Sequence, residues 1–161
     1  MNSLIRLIYM SRVGDGFGPH ALREILAASR RNNARVGITG MLGFTADHFI
    51  QVLEGGRAAV CERYHAIVTD KRHHDMVLLS FEEIDARRFD EWTMGYIALN
   101  NTTSHALLKY TAHGVLEPDG LSAAGALGLL TELACILRAN LLAATPDQTE
   151  DLRLNGGLAA H

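Results

Sequence analysis

Apolar positions change their spacing several times along the chain, and each change marks an element. Residues 4–10 read Leu-Ile-Arg-Leu-Ile-Tyr-Met, an apolar run broken by Arg6 and followed by Gly14, Gly16 and Gly18. That pattern predicts a buried first strand running into a glycine-rich turn. Pro19 suits the first helical position, where its missing N–H costs nothing. Leu22, Ile25, Leu26 and Ser29 follow at spacings of three and four, one face of a helix that should end near Asn32 and Asn33. Residues 36–45 then carry Val, Ile, Thr and Phe among glycines, which suits a strand with close backbone approaches. Ala46-Asp47 is a turn, and residues 49–53 are the returning strand, broken by Gly55-Gly56.

A second amphipathic helix is marked by Val60, Tyr64, Ile67 and Val68 and closes at Lys71-Arg72-His73-His74. Residues 76–84 and 95–99 read as two further strands, joined by a polar segment that contains Trp92. The order β-α-β-β-α-β-β predicts an α+β fold: a ferredoxin-like, five-stranded mixed sheet with two helices on one face. Residues 1–100 form this unit, and 101–161 a connector and C-terminal helical extension. Residues 100–120 hold a short helix over 105–113, and a long helix spans 121–144. Its apolar residues make two stripes, Leu127, Leu130, Leu137 and Leu141 and then Leu129, Leu133 and Ile136. One stripe covers a sheet; the second implies another helix or a second subunit, so a homo-oligomer is expected. The last dozen residues, with Gly156-Gly157, should fray.

Composition narrows the class. The chain has 161 residues, 48% of them hydrophobic and 20% charged, enough to bury one core. A net charge of −3 gives no general pull toward nucleic acid or anionic membrane. Cys61 and Cys135 lie far apart without a CxxC pattern and read as reduced thiols of a cytoplasmic protein. The N-terminus lacks the layout of a signal peptide. Glu132, Arg138 and Asn140 interrupt the apolar 121–144 stretch, which reads as a soluble, buried helix instead of a membrane span.

Candidate chemistry centres on Tyr9 and Gln51. A lone strand tyrosine is ordinarily a core residue whose hydroxyl finds any partner. An amide in the middle of Phe-Ile-Gln-Val-Leu is less ordinary, because left unsatisfied it costs about 1–3 kcal/mol. Adjacent strands could pair the two, either to satisfy one another or to serve a third group. Arg12 and Asn33 offer a different reading, an acylphosphatase-type hydrolase with an arginine cradle and a water-positioning asparagine. That reading leaves Gln51 unexplained. A ligand-free regulatory interaction domain is the third. His73-His74 carries no metal reading, since adjacent side chains diverge and no third ligand stands out.

The segment Asn32-Asn33-Ala34-Arg35-Val36-Gly37-Ile38-Thr39-Gly40, then Phe49-Ile50-Gln51-Val52-Leu53-Glu54-Gly55, together with Tyr9, resembles the BLUF family, flavin-based sensors of blue light. The resemblance covers residues 3 to about 100. It implies FAD, with FMN or riboflavin also acceptable, lying between the two helices, with Tyr9 and Gln51 as the photochemical pair. By the same resemblance, Asn33 bonds the polar edge of the flavin ring, Asn32 holds a neighbouring polar position in the flavin site and Ser29 lies near the ring. Ile25 and Ile67 sandwich the ring, and Phe49 walls it. Asp70, Arg72 and His73 face its edge or ribityl chain, and Trp92 and Met94 are a fifth-strand pair that relays the glutamine's state. Nothing after residue 100 resembles an effector domain. Output is therefore expected to pass to a downstream protein partner that the sequence does not identify, with no nucleic-acid or membrane role. The fifth strand and the 121–144 helix are the expected relay.

Overall fold

The computed structural model describes residues 2–144. Five strands, β1 (Leu4–Val13), β2 (Thr39–Phe44), β3 (His48–Gly56), β4 (His73–Glu83) and β5 (Gly95–Ala98), form one sheet in the order β4-β1-β3-β2-β5. Four of them are the antiparallel ferredoxin-like set, and β5 adds parallel to β2. The sheet is therefore mixed, as the element order predicted.

Helices α1 (Pro19–Val36) and α2 (Arg57–Val68) cover one face, and α4 (Ala123–Ala143) covers the other. The strand period of two sorts the side chains between them. Leu7 and Tyr9 of β1, with Phe49 and Leu53 of β3, join Leu22 and Leu26 of α1 and Val60 of α2 in one core. Ile8, Met10, Ile50 and Val52 alternate with them and meet Leu129, Leu130 and Leu133 of α4 in a second core. Because β1 and β3 are covered on both faces, their apolar runs are nearly continuous. α4 is long and apolar enough to cross a membrane, yet its leucines pack on this sheet. α3 (Ser104–Tyr110) packs against α4, with Ala106 and Leu107 buried in the same core.

Four local expectations are corrected. Arg6 does not break the first strand. It lies within β1, 6% exposed, with its Nε 2.7 Å from Glu54 of β3 and Nη1 3.0 Å from Glu82 of β4. Cross-strand pairing of Arg6 with both residues explains how a charge enters the sheet. α1 does not stop at Asn32-Asn33 but continues to Val36, which is helical instead of strand. It ends where Gly37 takes a left-handed φ of 68° and donates its N–H to the Asn33 carbonyl, a glycine C-cap. The basic cluster does more than close the second helix, since His73 and His74 begin β4 and pair with Val13 and Arg12. Of the α2 stripe only Val60 is fully buried, and Val68 is 45% exposed. The expectation of a frayed C-terminus lies outside the described residues.

One glycine is required by the sheet itself. A Cβ on Gly40 would sit 2.1 Å from the Val52 carbonyl oxygen, so β2 approaches β3 there as only glycine allows.

Candidate functional site

α1 presents a face at spacings of three, four and seven, and α2 one at three and four, to a cleft of about 200 Å³ above the sheet. From α1 come Ile25, Ala28, Ser29 and Asn32, and from α2 come Arg63, Ala66 and Ile67. The floor is Tyr9, Leu42, Phe49 and Gln51, and Asp70, Arg72 and His73 close the end beyond α2. Ile25, Ala28, Ala66 and Ile67 give the helical walls their apolar surface, and polar groups come from Ser29, Asn32 and Arg63 on the helices, from Tyr9 and Gln51 on the floor and from Asp70, Arg72 and His73 at the end.

The floor is a directed hydrogen-bond chain. Tyr9 and Gln51 are register partners across β1 and β3, so their side chains leave the sheet side by side on the helix face. The Tyr9 hydroxyl donates to Gln51 Oε1, and Gln51 Nε2 donates to Met94 Sδ at 3.1 Å. Both residues are buried, so each polar atom needs the partner it has. Burial pushes the Tyr9 phenol far above its ordinary range, and the nearby Tyr64 and Asp70 add to the shift. Tyr9 therefore keeps its proton throughout the physiological range. Rings of Tyr64, 5.7 Å away, and His73, 6.4 Å away, pack beside it.

His73 is held at both ring nitrogens. In the neutral ring, Nε2–H donates to the Ile67 carbonyl at 2.7 Å, and Nδ1 accepts from the Ser11 hydroxyl at 2.7 Å. The tautomer follows from the fact that a carbonyl can only accept. Asp70 receives the Arg72 Nε–H at 2.9 Å and the Arg72 backbone N–H at 2.9 Å. The Arg72 hydrogen bonds hold its carboxyl below the usual carboxylate range, against the opposing effect of partial burial.

Trp92 and Met94 do not lie on the fifth strand. β5 begins only at Gly95, and the irregular residues before it do not obey the period of two. Met94 therefore joins the helix-side core, whereas Trp92 joins the α4-side core, with the Arg138 guanidinium 5.8 Å from its ring centre. Three successive carbonyls fix this segment. Trp92 O accepts from Gly40 N at 3.0 Å, Thr93 O from Asn33 Nδ2 at 2.8 Å, and Met94 O from Arg30 Nε at 3.2 Å.

Asn33 accordingly departs from its expected place. It is buried and bonded to Thr93 instead of lining the cleft, although its neighbour Asn32 does line it. Arg63, Ala28, Ala66 and Leu42 line the cleft and were missed by the sequence reading. The helix period alone could have found the first three, since each lies three or four residues from a residue already placed there. Arg12 is half exposed beside Asp75, off the cleft, and forms no anion cradle with Asn33.

Among the described residues, two buried polar atoms lack a protein partner: Arg63 Nε, a donor on a residue of the cleft wall, and Asn33 Oδ1, an acceptor. Such atoms in a native protein ask for a ligand or solvent. A slot with aliphatic walls, a buried donor and an amide floor fits a flat aromatic ring with a polar edge. A volume below the ~300–1,000 Å³ of drug-sized sites holds such a ring but not a whole dinucleotide.

The comparisons agree with that geometry. The chain is 37% identical over 86 residues to the blue light- and temperature-regulated antirepressor BluF of Escherichia coli (strain K12), which covers 53% of this chain and 21% of that protein. The chain thus spans about a fifth or less of the curated relatives it matches. Among solved structures, BlrB, a BLUF protein in its dark state, aligns with a TM-score of 0.60 and 39% identity, over 61% of this chain and 74% of that one. The photo-activated state of BlsA aligns with a TM-score of 0.69 and 27% identity, over 81% and 94%. Residues 4–95 match the sequence profile of the family described as sensors of blue-light using FAD, the stretch that builds the cleft and its floor, and this chain belongs to that family, BLUF.

Proposed function

We propose that this chain senses blue light through a flavin held in the α1–α2 cleft, and that Tyr9 and Gln51 convert absorption into a hydrogen-bond change. The observation that carries the reading is the chain from the Tyr9 hydroxyl through the Gln51 amide to Met94 on the floor of that cleft. Ile25 and Ile67 would clasp the two faces of the ring, with Phe49 at one wall. Ser29, Asn32 and the unpartnered Arg63 Nε would meet its polar edge. Asp70, Arg72 and His73 line the end where a ribityl chain would leave, so FAD, FMN and riboflavin could all be seated by the ring. When bound, the flavin supplies blue absorption and an oxidising excited state.

The protein's part is proton control. A phenol as deeply buried as Tyr9 does not give up its proton alone, so any loss of an electron from it must be accompanied by proton transfer to Gln51 Oε1. An amide can take that proton because it accepts at oxygen and donates at nitrogen. Returning it through a reoriented or tautomerised amide leaves Gln51 with changed partners. Met94 Sδ, which only accepts, reads whether an N–H faces it.

One rearranged hydrogen bond is worth about 0.5–1.5 kcal/mol, which shifts an equilibrium roughly tenfold or less. A usable signal therefore needs an element with two arrangements, and we assign β5 and α4 that role. Glu91, in the segment that leads into β5 and three residues before Met94, receives the Arg138 Nε–H of α4 at 2.7 Å, which ties that segment to α4. Light-minus-dark hydrogen exchange should change across residues 90–143; equal protection would remove α4 from the path. The output then goes to a protein partner, from a chain that acts as a sensor and not as an enzyme in the cytoplasm. Relatives named as an antirepressor and as photoactivated cyclases support a partner-directed role.

The test is an absorption spectrum before and after blue illumination. The purified protein should be yellow and shift reversibly to the red. A Tyr9→Phe variant should bind flavin and lose the shift. A protein that stays colourless after incubation with FAD, FMN and riboflavin refutes the reading, and a Tyr9→Phe variant with full response refutes the role of Tyr9.

A further inference from the structure

A second cavity, of about 350 Å³, lies at the first turn of α1. Pro19, Leu22 and Arg23 line it, and the residues that face the cleft, from Ile25 to Asn32, follow on the same helix. The two cavities share a wall. The Phe17 ring of the second meets the Phe49 ring of the cleft edge-on, with centroids 5.2 Å apart. Val13, also in the second cavity, is the register partner of His73, and the Gly14 N–H donates to the Arg72 carbonyl at 3.0 Å. Arg72 and His73 are the cleft residues at the end where a ribityl chain would leave.

The interior of the second cavity suits a purine. Phe44 and Tyr96 stack there, with centroids 4.8 Å apart and planes inclined by 19°, and Phe17 adds a third ring. Aromatic side chains of this kind accept the flat face of a nucleobase. Thr45 adds a polar group. Its Oγ1 accepts the backbone N–H of Asp47 at 3.2 Å and of His48 at 3.0 Å, which leaves its O–H to donate. Adenine offers ring nitrogens that accept such a bond. Size points the same way: the cleft, at about 200 Å³, holds the flavin ring and not a dinucleotide, whereas the adjoining cavity falls within the ~300–1,000 Å³ of ligand sites.

We propose that this cavity holds the adenine of FAD while the flavin ring lies in the cleft, so that the chain selects the dinucleotide over FMN and riboflavin. The inference rests on the flavin reading of the cleft. The diphosphate would pass residues 14–18, beside an α1 N-terminus with no side-chain cap and no acidic residue in its first turn. Asp15 and Glu24 lie close by in the chain and offset Arg23, so stacking and not charge carries the preference.

Competitive exchange tests this with a readout separate from the photochemistry. The full chain is equilibrated with equal excess concentrations of FAD, FMN and riboflavin, and the bound flavins are released and separated by chromatography. FAD should exceed each of the others at least about fivefold, the low end of what one stacked base contributes. Ala46→Trp, at an exposed turn position that lines the cavity, should fill the space and bring the three flavins to equal occupancy, with total bound flavin and the melting profile unchanged. Tyr96→Leu, which removes one ring from within, should cut the FAD excess too. Equal occupancy in the wild type overturns the inference and leaves the flavin reading of the cleft standing. A full FAD excess in either variant overturns it as well, by placing the adenine elsewhere. A chain that takes up none of the three flavins removes both readings together.

Discussion

Replacing Met94 by leucine isolates one hydrogen bond at the centre of the site. The exchange conserves volume closely, and such swaps in a core cost under about 1.5 kcal/mol for shape alone. It also removes the sulfur that accepts from Gln51 Nε2 at 3.1 Å, in a place where Gln51 is 5% exposed and Met94 fully buried. The amide N–H is then stranded, at about 1–3 kcal/mol, and the low end applies because a thioether is a weak acceptor. Shape and hydrogen bond are separated by a double-mutant cycle with Gln51→Leu, which leaves no amide to strand. The coupling between the two sites should be about 0.5–1.5 kcal/mol. It would be read from urea midpoints of the flavin-free protein, so that no ligand linkage enters. In a melting experiment about 1 kcal/mol corresponds to roughly 2–4 °C for a domain of this size. A coupling below about 0.3 kcal/mol, the ordinary error of additivity, would mean that Gln51 and Met94 merely touch. The reading of Met94 as the sensor of amide orientation would then be wrong.

Other positions carry sharp expectations. Glu54 is fully buried and accepts from Arg6 at 2.7 Å and from the backbone N–H groups of Arg88, at 2.9 Å, and Phe89, at 2.8 Å. Glu54→Ala should therefore cost about 3–5 kcal/mol by denaturant titration, as breaking a buried pair does, and a loss under about 1 kcal/mol would contradict the pairing. Asp70 has its folded pKa depressed by Arg72, so it adds stability above the ordinary carboxylate value of about 3.9 and loses it as pH falls through the lower folded value. Arg72→Ala should return the Asp70 titration, followed by carboxyl NMR, to the ordinary range and flatten that acid-side loss; an unmoved titration would point to a different cause.

The sequence by itself determined the elements and their order. Apolar spacing marked the helices within a few residues, and short apolar runs bounded by glycines and turns marked the strands, because burial against one layer or between two imposes those patterns whatever the neighbours are. It also singled out Gln51, since an amide inside an apolar strand requires a partner. The glycine that ends α1 is legible as well, in Val36-Gly37, four residues beyond the adjacent asparagines.

What the tertiary structure alone decided are relations between distant segments. Arg6 reads as a break in a strand until Glu54 and Glu82 arrive on either side from 48 and 76 residues away. Asn33 reads as a cleft residue until the 92–94 segment comes within reach and its Thr93 carbonyl takes the amide N–H. Trp92 and Met94 read as partners on one strand, and their two faces are set by where β5 starts to pair with β2, a long-range event. Spacing is a local consequence of backbone geometry and survives in the sequence. The partner of a charge or an amide is chosen by which strands become neighbours, and only the folded chain holds that information.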